Sequence, residues 1–163
     1  MPPRHRTSRY EHILIVVDLQ GAFPVPRRIL DGVRRLSRQF RVRVFTRFVN
    51  PSGSQFRRLL KMDSCEPGSA DTALQISPGD DDIVMSKAGY GLSPAQVSRL
   101  KRLGVRRATV CGIDTDACVL AVMFSLFDAG IDCRAKPTLC WSGSGQRMHQ
   151  AGLKILAHQF PAP

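Results

Sequence analysis

No apolar run in the 163-residue chain reaches the ~18 consecutive residues that a membrane-spanning helix needs. The first nine residues are basic, but the apolar stretch at 13–17 is too short for the core of a secretory signal and runs straight into Asp18. The five cysteines (Cys65, Cys111, Cys118, Cys133 and Cys140) are odd in number and lack the spacing of a disulfide scaffold. These absences predict a reducing, cytoplasmic setting. No repeat and no break in composition divides the chain, so residues 1–9 read as a flexible basic arm and residues 10–163 as one domain. Aromatic residues are only 7% of the total, and few lie among the basic ones. The net charge of +11 raises nucleic-acid binding as a function. However, Arg27, Arg28, Arg34, Arg35, Arg38, Arg57, Arg58, Arg102, Arg106 and Arg107 are scattered without rings for base stacking, which suits solvated outer faces better.

What is present reads as alternating strands and helices, in a chain whose 43% hydrophobic content is that of a globular protein. Residues 13–17 (I-L-I-V-V) have the pattern of a strand buried on both faces of a parallel sheet. Residues 24–40 put Val25, Ile29, Val33, Leu36 and Phe40 on one helical face, with Pro24 and Pro26 in the first turn. Residues 42–48 read as a second strand, 50–54 as a loop and 55–61 as a short helix. Residues 62–82, rich in Gly, Pro, Ser and Asp, form the longest irregular segment, a length at which loops are often functional. A short strand at 83–85 leads to Lys87. Ser93, Pro94 and Gln96 then carry the capping-box signature of a helix start. A strand at 108–111, a helix from near Asp116, a strand at 131–135, a loop at 140–145 and a helix over 144–157 complete the chain. The alternation predicts a single three-layer α/β/α domain with a mainly parallel, Rossmann-like central sheet.

The stretch over residues 110–130 draws the chemistry together. A strand turns at Gly112 and becomes a helix carrying Val119, Val122, Met123, Leu126 and Ala129 on its apolar face, with Gly130 at its end. Cys118 therefore falls in a first helical turn, where free N–H groups and the helix dipole favour an anion and can depress a thiol pKa. The same residue type also suits a small buried core position. Ligand sites of open parallel sheets lie beyond the carboxyl ends of the strands. Asp18, Lys87 and Cys118 all stand at such ends. A carboxylate can accept a thiol proton, an ammonium can stabilise a thiolate, and sulfur can attack a carbonyl. Singly, each could equally be a loop cap, a solvated lysine and a core cysteine.

At these residues the chain resembles the isochorismatase-like cysteine hydrolases, a superfamily that includes nicotinamidases, N-carbamoylsarcosine amidases and isochorismatases. Asp18-Leu19-Gln20 with Phe23 matches the pattern D-x-Q-x-x-F, and Lys87 with Tyr90 follows a short strand. The third match, over residues 112–119, is G-I-D-T-D-A-C-V against G-[VI]-x-T-D-x-C-V. The resemblance implies a catalytic triad of Asp18, Lys87 and Cys118. It also implies a non-proline cis peptide between Ile113 and Asp114, and an oxyanion hole from the backbone N–H groups of Asp114 and Cys118. It implies a homodimer or homotetramer, and hydrolysis of a C–N bond in a small amide or carbamoyl compound through a cysteine thioester. Ether hydrolysis of the isochorismatase type, a non-catalytic binding role and nucleic-acid binding are the alternatives.

The chain departs from the nicotinamidase pattern at the second strand exit. Where that group carries the metal motif T-R-D-x-H-P, this sequence reads Thr46-Arg47-Phe48-Val49-Asn50-Pro51. None of the four histidines, His5, His12, His149 and His158, lies near that loop, so the sequence predicts no metal and no other cofactor. Gly91-Leu92 also stands where many relatives have serine and phenylalanine. Phe23, Asn50 and Tyr90 are expected to wall the pocket. Trp141 and Asp116 read as a packing residue and an N-cap, Cys111 and Cys133 as inert core, and Cys65 as an exposed loop thiol.

Overall fold

The strands β1 (His12–Val17), β2 (Arg43–Phe48), β3 (Ile83–Lys87), β4 (Arg107–Ile113) and β5 (Asp132–Trp141) form one wholly parallel sheet in the order β3-β2-β1-β4-β5. The structure, a computed structural model, describes residues 8–161. Most of the basic arm expected over residues 1–9 lies outside the described residues, although Arg9 pairs with Asp81 at 2.9 Å. Helices α1 (Arg27–Ser37), α2 (Gln55–Leu60), α3 (Pro94–Arg102), α4 (Leu120–Asp128) and α5 (Gln146–Gln159) connect and cover the strands. No helix among the described residues is long and apolar enough to cross a membrane.

Strand β1 has the central place because its residues can be buried on both sides. Ile13, Ile15 and Val17 enter one apolar cluster with Leu100 of α3, Val122 and Leu126 of α4, and Leu156 of α5. Leu14 and Val16 enter the opposite cluster with Ile29 and Val33 of α1. All five β1 residues are at most 1% exposed, and burying a side chain of this kind is worth about 1.5–3 kcal/mol. The face predicted for α1 is the buried one, but the helix starts at Arg27, so Pro24 and Pro26 precede it. A proline at 26 bars Val25 from the helical region and delays the start. Ser93 and Gln96 form the expected capping box of α3.

Two expectations need correction. Strand β5 runs ten residues and includes Trp141, which the sequence reading left beyond the strand. Lys136 and Pro137 broke the apolar pattern there, and the ladder with β4 does shift register between Val110 and Gly112. Cys65 is fully buried rather than exposed, and burial pushes its thiol up to about 11.

Gly112 sits in that irregularity at φ 121°, and a Cβ there would stand 2.2 Å from the carbonyl oxygen of Val17. Both the conformation and the close approach of β4 to β1 demand glycine. Gly112→Ala should therefore lower unfolding stability by at least about 2 kcal/mol in urea titration. A change within experimental error would show that the strands can part without cost.

Candidate active site

The parallel order places the ends of β1, β2 and β3 side by side. Asp18 leaves β1 in the left-handed region, at φ 50°. Thr46 of β2 fixes it twice: Thr46 Oγ1 accepts from Asp18 N at 3.1 Å and donates to Asp18 Oδ1 at 2.6 Å. Asp18 Oδ2 lies 2.6 Å from Lys87 Nζ, with both side chains 2% exposed. The ammonium is off the hydrogen-bonding direction of that oxygen, which keeps a buried lone pair without an aligned donor. Lys87 instead donates to Gly89 O at 3.0 Å and lies 5.6 Å from the centre of the Phe48 ring. Removing one member of such a pair typically costs about 3–5 kcal/mol, because the other charge is stranded.

Cys118 approaches this pair from β4. The Ile113–Asp114 peptide is cis, and Thr115–Val119 make one π-helical turn before α4. The C-terminal part of the chain holds that turn in place. Thr115 N donates to Ser142 Oγ at 3.1 Å, Thr115 Oγ1 meets His149 Nδ1 at 2.8 Å, and Gly143 N donates to Asp114 Oδ1 at 2.8 Å. Helix α5 comes close enough that a Cβ on Gly152 would stand 2.8 Å from Asp116 N. Asp116 is not the expected cap: its Oδ1 is buried with no hydrogen-bond partner, and Asp114 occupies the N-cap position without a capping bond.

The Cys118 thiol lies near enough to Asp18 and Lys87 for both charges to act on it. Its pKa is raised, not depressed as the helix-start argument anticipated. Burial is the main cause and the Asp18 charge adds to it, while Lys87 opposes them. Desolvation outweighs the dipole of a short turn here.

A cavity of about 350 Å³ has Asp18, Ile113, Asp114, Asp116, Ala117 and Cys118 in its lining. Phe23, Phe48, Phe56, Leu60, Met62, Tyr90 and Ser144 complete it. Phe23 and Tyr90 are thus walls. Asn50 is not: it is fully buried, donating its amide to Met62 O and Ser64 O and accepting from Ser54. Trp141 packs between His149 and Arg28. Sequence reasoning missed Phe56 and Leu60, although their i, i+4 spacing on α2 puts both on one face. It also missed Ser142 and His149, which carry no motif.

The positions that the metal motif would give to ligands hold a phenyl ring and an amide committed to loop carbonyls. Among the described residues no three His, Cys, Asp or Glu side chains gather as ligands. This donor set does not fit zinc or iron, which take imidazole, carboxylate or thiolate groups.

The isochorismatase domain family matches the chain over residues 12–163. Among solved structures, the pyrazinamidase of Pyrococcus horikoshii in complex with zinc superposes with a TM-score of 0.83 at 22% identity, covering 92% of this chain and 96% of that one. A cysteine hydrolase from Pseudomonas syringae pv. phaseolicola 1448A gives 0.82 at 17% identity, covering 98% and 92%. Nicotinamidase PncA from Bacillus subtilis gives 0.81 at 16% identity, covering 93% and 97%. No curated protein sequence matches the chain.

Two outcomes follow from this electrostatics. The rate of Cys118 alkylation by iodoacetamide should keep rising from pH 7 to pH 9, as for a thiol that is protonated at rest. A plateau already reached at pH 7 would mean a standing thiolate. Burial and the Arg28 charge hold His149 below its ordinary pKa, against a smaller opposing effect of Asp116. The unfolded chain then binds the extra proton first, so stability should fall as pH drops through about 6.5. His149→Gln should flatten that part of the urea-stability profile, and an unchanged slope would contradict the assignment.

Proposed function

The chain belongs to the isochorismatase family, and we propose that within it the protein is a cysteine hydrolase that cleaves a C–N bond of a small amide or carbamoyl compound without a metal. The observation that carries this reading is the buried Asp18–Lys87 pair, 2.6 Å apart, lying against the Cys118 thiol at the floor of a cavity. The family's hydrolase neighbours and the retained sulfur nucleophile support the amide class.

The chemistry follows from the charges. A thiolate standing beside Asp18 in a buried site is disfavoured, so the proton leaves sulfur as the new bond forms. The sulfur attacks the carbonyl carbon while Asp18 Oδ2 takes the proton. Negative charge passes from sulfur to the carbonyl oxygen, where the N–H groups of Asp114 and Cys118 receive it. Lys87 keeps Asp18 in place and offsets its charge before the proton arrives. Asp18 then returns the proton to the leaving nitrogen, the C–N bond breaks, and a thioester remains on Cys118. Water attacks the thioester with Asp18 as base, releasing the acid and restoring the thiol.

Cys118→Ala removes no charge. It should keep the melting temperature within a few degrees and lower ammonia release at least about a thousandfold across a screen of amides, ureas and carbamates. Asp18→Asn should lose as much activity but also melt earlier, because it strands the Lys87 ammonium. Full turnover in either variant would remove the mechanism.

A further inference from the structure

The cavity reverses the charge of the protein around it. The chain carries 24 lysines and arginines against 13 acidic residues, yet among the described residues the carboxyl or basic groups bordering the cavity are Asp18, Asp114 and Asp116 alone. Lys87 lies beneath and is committed to Asp18 and Gly89 O. Among the described residues no counter-charge for Asp114 and Asp116 lines the cavity. Asp114 accepts a backbone bond from Gly143 N at 2.8 Å, and Asp116 Oδ1 has no hydrogen-bond partner among the described residues. Asp116 belongs to the motif G-[VI]-x-T-D-x-C-V, whereas Asp114 occupies its variable position, so the motif itself does not require the second carboxylate.

The aromatic part of the lining suits a cationic ligand. Phe48 and Phe56 meet edge-on with ring centroids 4.7 Å apart, and Phe56 meets Tyr90 at 4.7 Å, giving a run of three rings in the cavity lining. Aromatic faces attract cations, most strongly where water is excluded. Phe48 already has the Lys87 ammonium 5.6 Å from its centre.

Building on the amide-hydrolase reading of this cavity, we propose that its substrate carries a positive charge, an ammonium or guanidinium-type group. That group is held between the Asp114 and Asp116 carboxylates and the Phe48–Phe56–Tyr90 wall. The same arrangement repels amides that bear a carboxylate. Charge selection therefore separates this pocket from one built for anionic metabolites, and the selecting residues are distinct from the pair that handles the proton.

Binding to Cys118→Ala by isothermal calorimetry tests this without requiring turnover. Two matched sets serve as probes: benzamides bearing a meta aminomethyl, hydroxymethyl or carboxymethyl group, and propanamides ending in an amino, hydroxyl or carboxylate group. In at least one set the ammonium member should bind at least tenfold tighter than the hydroxyl member, with the carboxylate member weakest. Adding Asp114→Asn, or separately Asp116→Asn, should cut that preference at least threefold in a protein whose melting curve remains cooperative. Equal binding across a set, tighter binding of the anion, or no binding of any member at about 10 mM would overturn the proposal. So would a preference that survives both substitutions. A cation preference together with no ammonia release by the wild-type protein would uphold charge selection and count against the amidase mechanism alone.

Discussion

A carboxylate and an ammonium 2.6 Å apart, each 2% exposed, form the constraint on which the rest of this structure depends. Taking two such charges out of water costs several kcal/mol per ion, and their attraction repays it only if neighbours hold them in register. Here the neighbours are Thr46, the carbonyl of Gly89 and the ring of Phe48. Asp18, Thr46 with Phe48, and Lys87 come from β1, β2 and β3, which are adjacent and parallel, with Phe48 paired directly to Lys87. An antiparallel neighbour would send one partner to the far end of the sheet. The apolar residues of β1 thus do more than fill the core, because they fix the plane from which the pair projects.

The sulfur reaches this pair by a different route. Gly112 lets β4 approach β1, the cis peptide redirects the chain, and a π-helical turn presents Cys118. Ser142, Gly143 and His149 add hydrogen bonds to the turn and its N-cap, and Gly152 lets α5 press against its backbone. The last part of the chain is therefore a support for the site, although none of these four residues is a candidate for the chemistry. Burial raises the pKa of the thiol held there, and on the proposed mechanism its reactivity rests on where the carboxylate stands rather than on a lowered pKa.

The fold was legible because its signals are local. The I-L-I-V-V run, the capping box at Ser93 and the helical face from Val119 to Leu126 each follow from side chains a few positions apart. Asp18 and Lys87 stand at the ends of β1 and β3, and Cys118 follows β4 by one helical turn, an order that the strand and helix signals already carry. What failed depended on packing across the chain. Cys65 was judged by the polar loop around it, but Gln20 and Asp71 draw it inward. Asn50 was assigned to the pocket by position, while its amide is spent on the carbonyls of Met62 and Ser64. The role of His149 depends on a partner 34 residues away, for which periodicity has no signal.

The second strand exit, which lacks the metal motif, shapes the cavity instead. Phe48 carries the aromatic wall, and Asn50 with Ser54 ties down the loop that delivers Phe56. Phe48 stands where the nicotinamidase motif has an aspartate, so on the proposed reading carbonyl activation falls to the backbone N–H groups and the attack to sulfur. Acyl transfer to hydroxylamine is the most direct test of that account, using whichever amide releases ammonia. The account predicts a hydroxamate formed at the expense of the acid, absent with Cys118→Ala, because a Cys118 thioester partitions between the two nucleophiles. Ammonia release with acid as the only product at saturating hydroxylamine would contradict it.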